Sequence, residues 1–312
     1  MEIISASRRT DIPAFYMDWF MERVRAGYAL YPNPFGGTVH RVSLLPQDVH
    51  SIVFWSKHYG PLLPRLGELL DMGYGLCFHY TINGAPPSLE PHMPPLELSV
   101  RLFRDLARGT NPRQVLWRFD PIVLTQELDR DFYLRRFKEI AHQLEGFTHR
   151  CYFSFVSLYG KTRANMARQG ILWREPSLEE KAELACRLSE LARGFGMELL
   201  ACCQEDLLKY GISGGSCVDG ELLSQLSPHR PSITSPRPTR PGCRCTASRD
   251  IGIYDTCPLG CVYCYATRSC QVALHRMAFH DPSSESLLPL AGEGGDLSRK
   301  RSHSSMDIIN SR

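Results

Sequence analysis

The sequence predicts an α/β protein: a TIM-like parallel β/α barrel, complete or partial, with a C-terminal cysteine-rich loop segment. Three observations carry that expectation. Short apolar runs rich in β-branched and aromatic residues alternate with longer stretches of helical period, joined by fairly short loops, as in repeated βαβ units. There are seven such runs, and no G-x-G-x-x-G follows the first of them, which favours a barrel over a two-halved dinucleotide fold. Polar residues gather where the strands should end, the face on which such barrels carry their chemistry.

The elements follow in order. Glu2 to Ala6 reads as a first strand, and the polar cluster Ser7-Arg8-Arg9-Thr10-Asp11 ends it. Asp11 and Pro13 suit the start of a helix from about Ala14 to Ala26, stopped by Gly27. Strands are expected at Val49–Trp55, Gly75–Ile82, Gln114–Asp120, Arg150–Val156, Met197–Cys203 and Asp250–Tyr254. Helices are expected between them at Leu62–Leu70, Leu96–Ala107, Leu128–Leu144 and Leu178–Phe195. In Val115-Leu116-Trp117-Arg118-Phe119-Asp120, Val115, Trp117 and Phe119 share one face and Arg118 and Asp120 the other. The apolar face should meet the helices, which aims Arg118 and Asp120 into the barrel mouth, either as working groups or as a buried structural ion pair. Arg8, Asp11, Lys57, His79 and Ser154 fall at similar strand ends; a lone histidine such as His79 is more often a hydrogen-bonded core residue.

The chain divides into a barrel-like core at 1–226, a Pro- and Arg-rich connection at 227–242, a cysteine-rich segment at 243–288 that should complete the barrel, and a disordered tail at 289–312. With 312 residues and a net charge of +3, charge alone argues for neither nucleic acid nor membrane. No run approaches a membrane span, and the first residues do not read as a secretory signal. Twelve cysteines in such a chain imply a reducing cytoplasm, where thiolates serve metals or redox work rather than disulfides. Cys77, Cys151 and Cys186 sit in apolar periodic segments and are expected to be buried as small hydrophobes.

Cys257-Pro258-Leu259-Gly260-Cys261-Val262-Tyr263-Cys264 is different. It is a C-x3-C-x2-C array directly after the last expected strand. Gly260 permits a tight turn and Pro258 opposes early helix formation, so the three sulfurs can face one small centre, an iron–sulfur cluster or a metal ion. Zinc sites usually pair two C-x2-C knuckles or one knuckle with two histidines, whereas here the first gap is three residues and no second knuckle appears. Cys243 and Cys245 precede the array as a C-x-C pair, and could complete a four-cysteine cluster or support a second site.

The array, with Tyr263 before its third cysteine, resembles the signature of the radical S-adenosylmethionine (SAM) enzymes. The resemblance implies a [4Fe-4S] cluster held by Cys257, Cys261 and Cys264. The methionine part of SAM would chelate the fourth iron, and one electron would cleave the sulfonium bond to a 5′-deoxyadenosyl radical. Ser5-Ala6-Ser7-Arg8-Arg9-Thr10-Asp11-Ile12-Pro13-Ala14-Phe15-Tyr16, Trp117-Arg118-Phe119-Asp120-Pro121-Ile122, and Gly242-Cys243-x-Cys245 through Asp255-Thr256-Cys257-x-x-Gly260-Cys261-x-Tyr263-Cys264-Tyr265-Ala266 are similar to an uncharacterised family, the domain of unknown function 1848. That resemblance runs from about Glu2 to Leu288 and adds Cys202 and Cys217 as candidate metal ligands. It assigns no reaction.

The leading expectation is an iron–sulfur, radical SAM-like enzyme with an unidentified small-molecule or macromolecular substrate and an electron donor. In it Arg8, Asp11, Arg118 and Asp120 serve substrate or the SAM carboxylate, and Tyr263 lies beside the adenine. The alternative is a non-catalytic module whose cysteines hold zinc or a closed cluster, with the basic connection meeting nucleic acid or protein.

Overall fold

The computed structural model describes residues 1–290. Its centre is an eight-stranded sheet in which every neighbouring pair runs parallel. The strands are β1 (Glu2–Ala6), β4 (Val49–Ser56), β5 (Leu76–Thr81), β6 (Val115–Ile122), β7 (Arg150–Phe155), β8 (Glu198–Cys202), β9 (Ser213–Gly215) and β10 (Arg249–Asp250). Their spatial order is β10-β1-β4-β5-β6-β7-β8-β9. A separate antiparallel hairpin, β2 (Tyr28–Pro32) and β3 (Val39–Ser43), sits between β1 and β4 in the chain.

The sheet is not a closed barrel, because no ladder joins β9 to β10. It is nevertheless strongly curled. Laid flat, β5 and β9 would stand about 19 Å apart at the usual strand spacing. Yet Nε2 of His79 on β5 donates to the carbonyl of Cys217, two residues past β9, at 2.6 Å. Between the two edges the chain lays a connecting strip instead of a ladder. Thr246 N donates to Val218 O at 2.9 Å, Gly220 N to Thr246 Oγ1 at 3.1 Å, and Ser216 Oγ to Arg244 O at 2.9 Å.

Alternation along the strands sorts the side chains onto two faces. Phe54, Phe78, Trp117, Phe119 and Phe153 face outward into the main core, with the helices packed over them. Ile3, Val53, Cys77, Leu116, Tyr152 and Leu200 face inward and form a second, smaller core with Val218, Cys243 and Cys245. The rings of the outer layer interlock: Trp117 and Phe137 are 4.7 Å apart, and Phe119 meets Phe137 edge-on at 5.2 Å. Burying each such side chain stabilises the fold by roughly 1.5–3 kcal/mol.

The helices on that face are α1 (Ile12–Phe15), α2 (Met17–Ala26), α3 (Leu66–Asp71), α4 (Leu96–Gly109), α5 (Arg130–Leu144), α6 (Gly160–Arg168), α7 (Leu178–Gly194) and α9 (Cys270–Met277), whereas α8 (Gly220–Leu226) turns Leu222 and Leu223 into the smaller inner core. Ser177 and Glu180 form a reciprocal capping box at the start of α7, and Asp129 caps α5. The single helix expected from Ala14 to Ala26 is broken at Tyr16, whose backbone leaves helical geometry while its hydroxyl donates to Thr256 O at 2.6 Å. The expected seventh strand is shorter than its apolar run. After Asp250 the chain crosses so close to β1 that a Cβ on Gly252 would lie 2.0 Å from Ser7 Oγ, and the ladder stops. From residue 291 the expected tail lies outside the described residues.

Candidate functional site

Strand ends, the first loop and the C-terminal loop meet on one rim of the sheet. Asp250 ties β10 to β1 there: its carboxylate accepts from Ser5 Oγ (2.7 Å), Ser7 Oγ (2.6 Å), Arg8 N (2.8 Å) and Gly252 N (3.0 Å). Arg8 lies 3.7 Å from the same carboxylate and over the Trp55 ring, with Nη2 on Ser248 Oγ at 3.0 Å. Tyr265, just past the cysteine array, donates to Arg8 O at 2.7 Å and so joins the two loops.

The array itself loops under a network of its own. Asp255 sits at φ +62 and accepts from Lys161 Nζ (3.2 Å) and Arg268 N (2.6 Å) at its neck. Burial works to raise the Asp255 carboxyl, but these donors outweigh it and hold it below its ordinary value. Val262 N donates to Leu89 O at 2.9 Å and Cys264 N to Cys261 O at 3.0 Å. Gly260 takes φ +72, where a Cβ would press on Pro91 Cγ at 3.1 Å, so the tight turn demands glycine. Cys261 is buried and Cys257 and Cys264 are half-buried. Burial raises the Cys257 thiol far above its ordinary value, with Asp11 and the other two array cysteines adding to the effect. Burial pushes Cys261 up to about 12, against the opposing pull of Lys57.

Beside the array stands a charged cluster. Lys57 Nζ lies 2.8 Å from Glu90 Oε1, a pair that is almost wholly buried. Glu90 also meets the Tyr263 hydroxyl and Asn83 Nδ2, the latter at 3.0 Å. Asn83 reaches on to Asp120, accepting from its N–H at 2.8 Å, and to the Tyr263 hydroxyl at 3.2 Å. Asp120 is ion-paired to Arg118 and bonded to Ser154. Arg118 and Asp120 therefore do lie on the inward face, and they do pair. Asp11 is buried with its carboxylate fully engaged, by Ser56 Oγ (2.7 Å), Lys57 N (2.9 Å) and Ala14 N (3.1 Å). Burial raises its carboxyl to about 6 against those three donors.

A second set of thiols lies on the far side of Arg118. Cys202, at the end of β8, has its sulfur 3.0 Å from that of Cys217. Arg118 Nη1 donates to Cys217 Sγ at 3.2 Å. Cys217 is in electrostatic reach of Cys245, and Cys245 of Cys243. Hydrogen bonds from the Cys202 and Cys245 thiols and the charge of Arg118 hold Cys217 well below the ordinary thiol range, although burial opposes them. His79 is buried at 0 % exposure, and burial followed by the Arg118 charge brings its imidazole down to about 4. Cys77 and Cys151 are buried as expected, while Cys186 is only half-buried.

The structure thus brings the sequence-expected residues into two groups. Cys257, Cys261, Cys264 and Tyr263 stand with Asp11, Lys57 and Glu90. Cys202, Cys217, Cys243 and Cys245 stand with Arg118. Asp120 and Arg118 are the seam between them. Among the described residues no three His, Cys, Asp or Glu side chains are set around a single metal ion. Sequence reasoning missed Glu90 and Asn83, which lie in an aperiodic, proline-rich loop, and Cys203, whose sulfur accepts from Arg240 Nε at 3.1 Å. The adjacency of Cys203 to Cys202 was its one available signal.

These features define an α/β protein with a curled parallel sheet and a thiol-rich rim. The chain belongs to the family described as domain of unknown function (DUF1848), whose model matches residues 3–266. No curated protein and no solved structure matches the chain significantly. Among the described residues, no helix is long and apolar enough to cross a membrane.

Proposed function

We propose that this chain is an iron–sulfur protein with radical SAM-like chemistry, in which Cys257, Cys261 and Cys264 hold a [4Fe-4S] cluster. The observation that carries this reading is the gathering of those three thiols, one buried and two half-buried, in one loop, each within electrostatic reach of the others, beside the Lys57 ammonium. The donor set is all sulfur, which suits iron–sulfur clusters and soft ions over hard cations. A cluster is wider than an ion, so thiols spaced for one need not converge on a single point. When bound, such a cluster would supply one electron to the sulfonium of SAM.

The chain's own residues have separable tasks. Lys57 offsets thiolate charge next to Cys261. Asp11 fixes the Lys57 backbone and the first helix rather than reacting, since both its oxygens already accept hydrogen bonds from the protein. Arg8 and Arg118 bind a carboxylate of SAM or substrate from the strand ends, with the bidentate geometry guanidinium favours, and Asp120 orients Arg118 for it. Tyr263, whose ring carries Lys57 Nζ at 5.5 Å, flanks the adenine. Reconstitution without oxygen, followed by assay for 5′-deoxyadenosine and by electron paramagnetic resonance with and without SAM, tests the reading. A reduced, intact cluster whose spectrum ignores SAM and which cleaves none of it would remove it.

One observation favours a second reading, a non-catalytic metal module meeting nucleic acid or protein. Residues 231–239 of the Pro/Arg connection are largely exposed immediately beside the thiol-bearing strip. Stoichiometric zinc in a colourless protein would favour it.

A further inference from the structure

We propose that Cys202, Cys217, Cys243 and Cys245 form a second site, separate from the 257–264 loop, that binds a thiophilic metal centre through four thiolates. This does not depend on the loop holding a cluster.

The four residues come from three distant stretches, yet their sulfurs form one continuous string on the concave face. The sulfurs of Cys202 and Cys217 are 3.0 Å apart, Cys243 and Cys245 are buried in the inner cluster against which Cys217 packs, and Cys245 feels the charge of both Cys217 and Cys243. The donors around the string are those that favour thiolate. Arg118 Nη1 lies 3.2 Å from Cys217 Sγ, Val218 N lies 3.4 Å from Cys245 Sγ, and Thr239 Oγ1 lies 3.5 Å from Cys243 Sγ. Cys77 and Cys151, by contrast, are buried cysteines of the same sheet with no neighbouring thiol among their influences and no guanidinium hydrogen-bonded to the sulfur, and burial raises both thiols. Neutral core thiols need no guanidinium. Thiolates on a metal do, because four of them around a divalent ion, or around a four-iron core of charge +2, leave a net charge of −2 in a low-dielectric pocket. Arg118 and Arg8 bring positive charge to that place: Cys217 and Cys245 both act on the Arg8 guanidinium.

The two thiol sets are distinct centres. The strongest electrostatic neighbours of Cys257 and Cys261 are Asp11, Lys57, Glu90 and one another, and no member of the string is among them. Because the string is extended rather than gathered about one point, it suits the edge of a cluster at least as well as a single ion. Zinc and iron share this thiolate chemistry, and metal analysis separates them.

The test is metal content of the full chain purified without oxygen. A C257A/C261A/C264A variant should still carry iron or zinc in a fixed ratio to protein, iron giving a brown sample with sulfide and zinc a colourless one. Adding C217A and C245A should lower its metal retention at least about tenfold. If that combined variant does not fold, single C243S at the end of the string should show the same loss. The proposal is overturned if the folded triple variant carries neither metal. It is overturned equally if C243S or C217A/C245A leaves the metal content unchanged, or if intact mass shows a Cys202–Cys217 disulfide in place of metal.

Discussion

Asp250 is the residue whose removal should be felt most at the rim, and its cost can be worked from its partners. Its two oxygens accept from two buried hydroxyls and from the N–H groups of Arg8 and Gly252, with the Arg8 and Arg9 guanidiniums near by. In Asp250→Ala the Ser5 and Ser7 hydroxyls can rotate, but the two N–H groups cannot. Each orphaned donor costs about 1–3 kcal/mol. The arginines are partly exposed and add little, since solvent screens them. The expected loss is about 2–6 kcal/mol, or a fall of about 0.7–2 M in the urea midpoint if m is about 3 kcal/mol/M. Asp250→Asn keeps one acceptor oxygen, and the hydroxyl facing the new amide can turn to accept from it. One N–H is then left facing a donor, so about half the loss is expected, near 2 kcal/mol. Urea titration followed by circular dichroism measures both. An Ala variant within about 1 kcal/mol of the parent, or an Asn variant as damaging as Ala, would refute the reasoning.

Further expectations concern the core and pH. Asp11 rises from 3.8 to about 6 on folding, so its protonated form is stabilising, and about 3 kcal/mol is lost as pH climbs from 4 through 6. His79 falls from 6.5 to about 4, so the opposite holds: about 3 kcal/mol is present above pH 6.5 and is lost as pH falls through 4. The two slopes offset one another between pH 4 and 6, and His79→Gln should expose the Asp11 decline in thermal melts across that window. Gly220→Ala should lower stability by about 1–3 kcal/mol or more. Its new Cβ would fall 2.0 Å from the backbone oxygen of Ile233, which a thermal melt will register. Trp117→Ala, which empties a fully buried site under α5, should cost about 3–5 kcal/mol and be read as a lower denaturation midpoint.

Much of the fold was legible because its strands are buried on both faces and read as near-continuous apolar runs. Alternation in β6 correctly separated Trp117 and Phe119 from Arg118 and Asp120. What escaped was whatever periodicity does not encode. β9 is Ser-Gly-Gly, with no apolar side chain to signal a strand, and it exists because Gly215 packs flush against Tyr152 and Leu200. The β2–β3 hairpin is an antiparallel ladder whose strand Tyr28-Ala29-Leu30-Tyr31-Pro32 carries no apolar–polar alternation, with Arg41 stacked over Tyr28 at 4.1 Å. At the site, the array and the C-x-C pair were visible as spacing. Their partition into two groups was not, since it depends on how far the sheet curls before its edges meet.

That curl has a consequence for how the molecule is made. On the flank of β1 away from β4, Glu2–Ala6 pairs, among the described residues, with Arg249–Asp250, so the Ser5 and Ser7 hydroxyls wait for a partner nearly 250 positions later in synthesis. Cys202 likewise meets Cys245 through Cys217 only when the strip at 243–246 has emerged and bridged the gap. Joining the two margins and drawing the sulfurs together are therefore one late event, and a truncated chain would have neither.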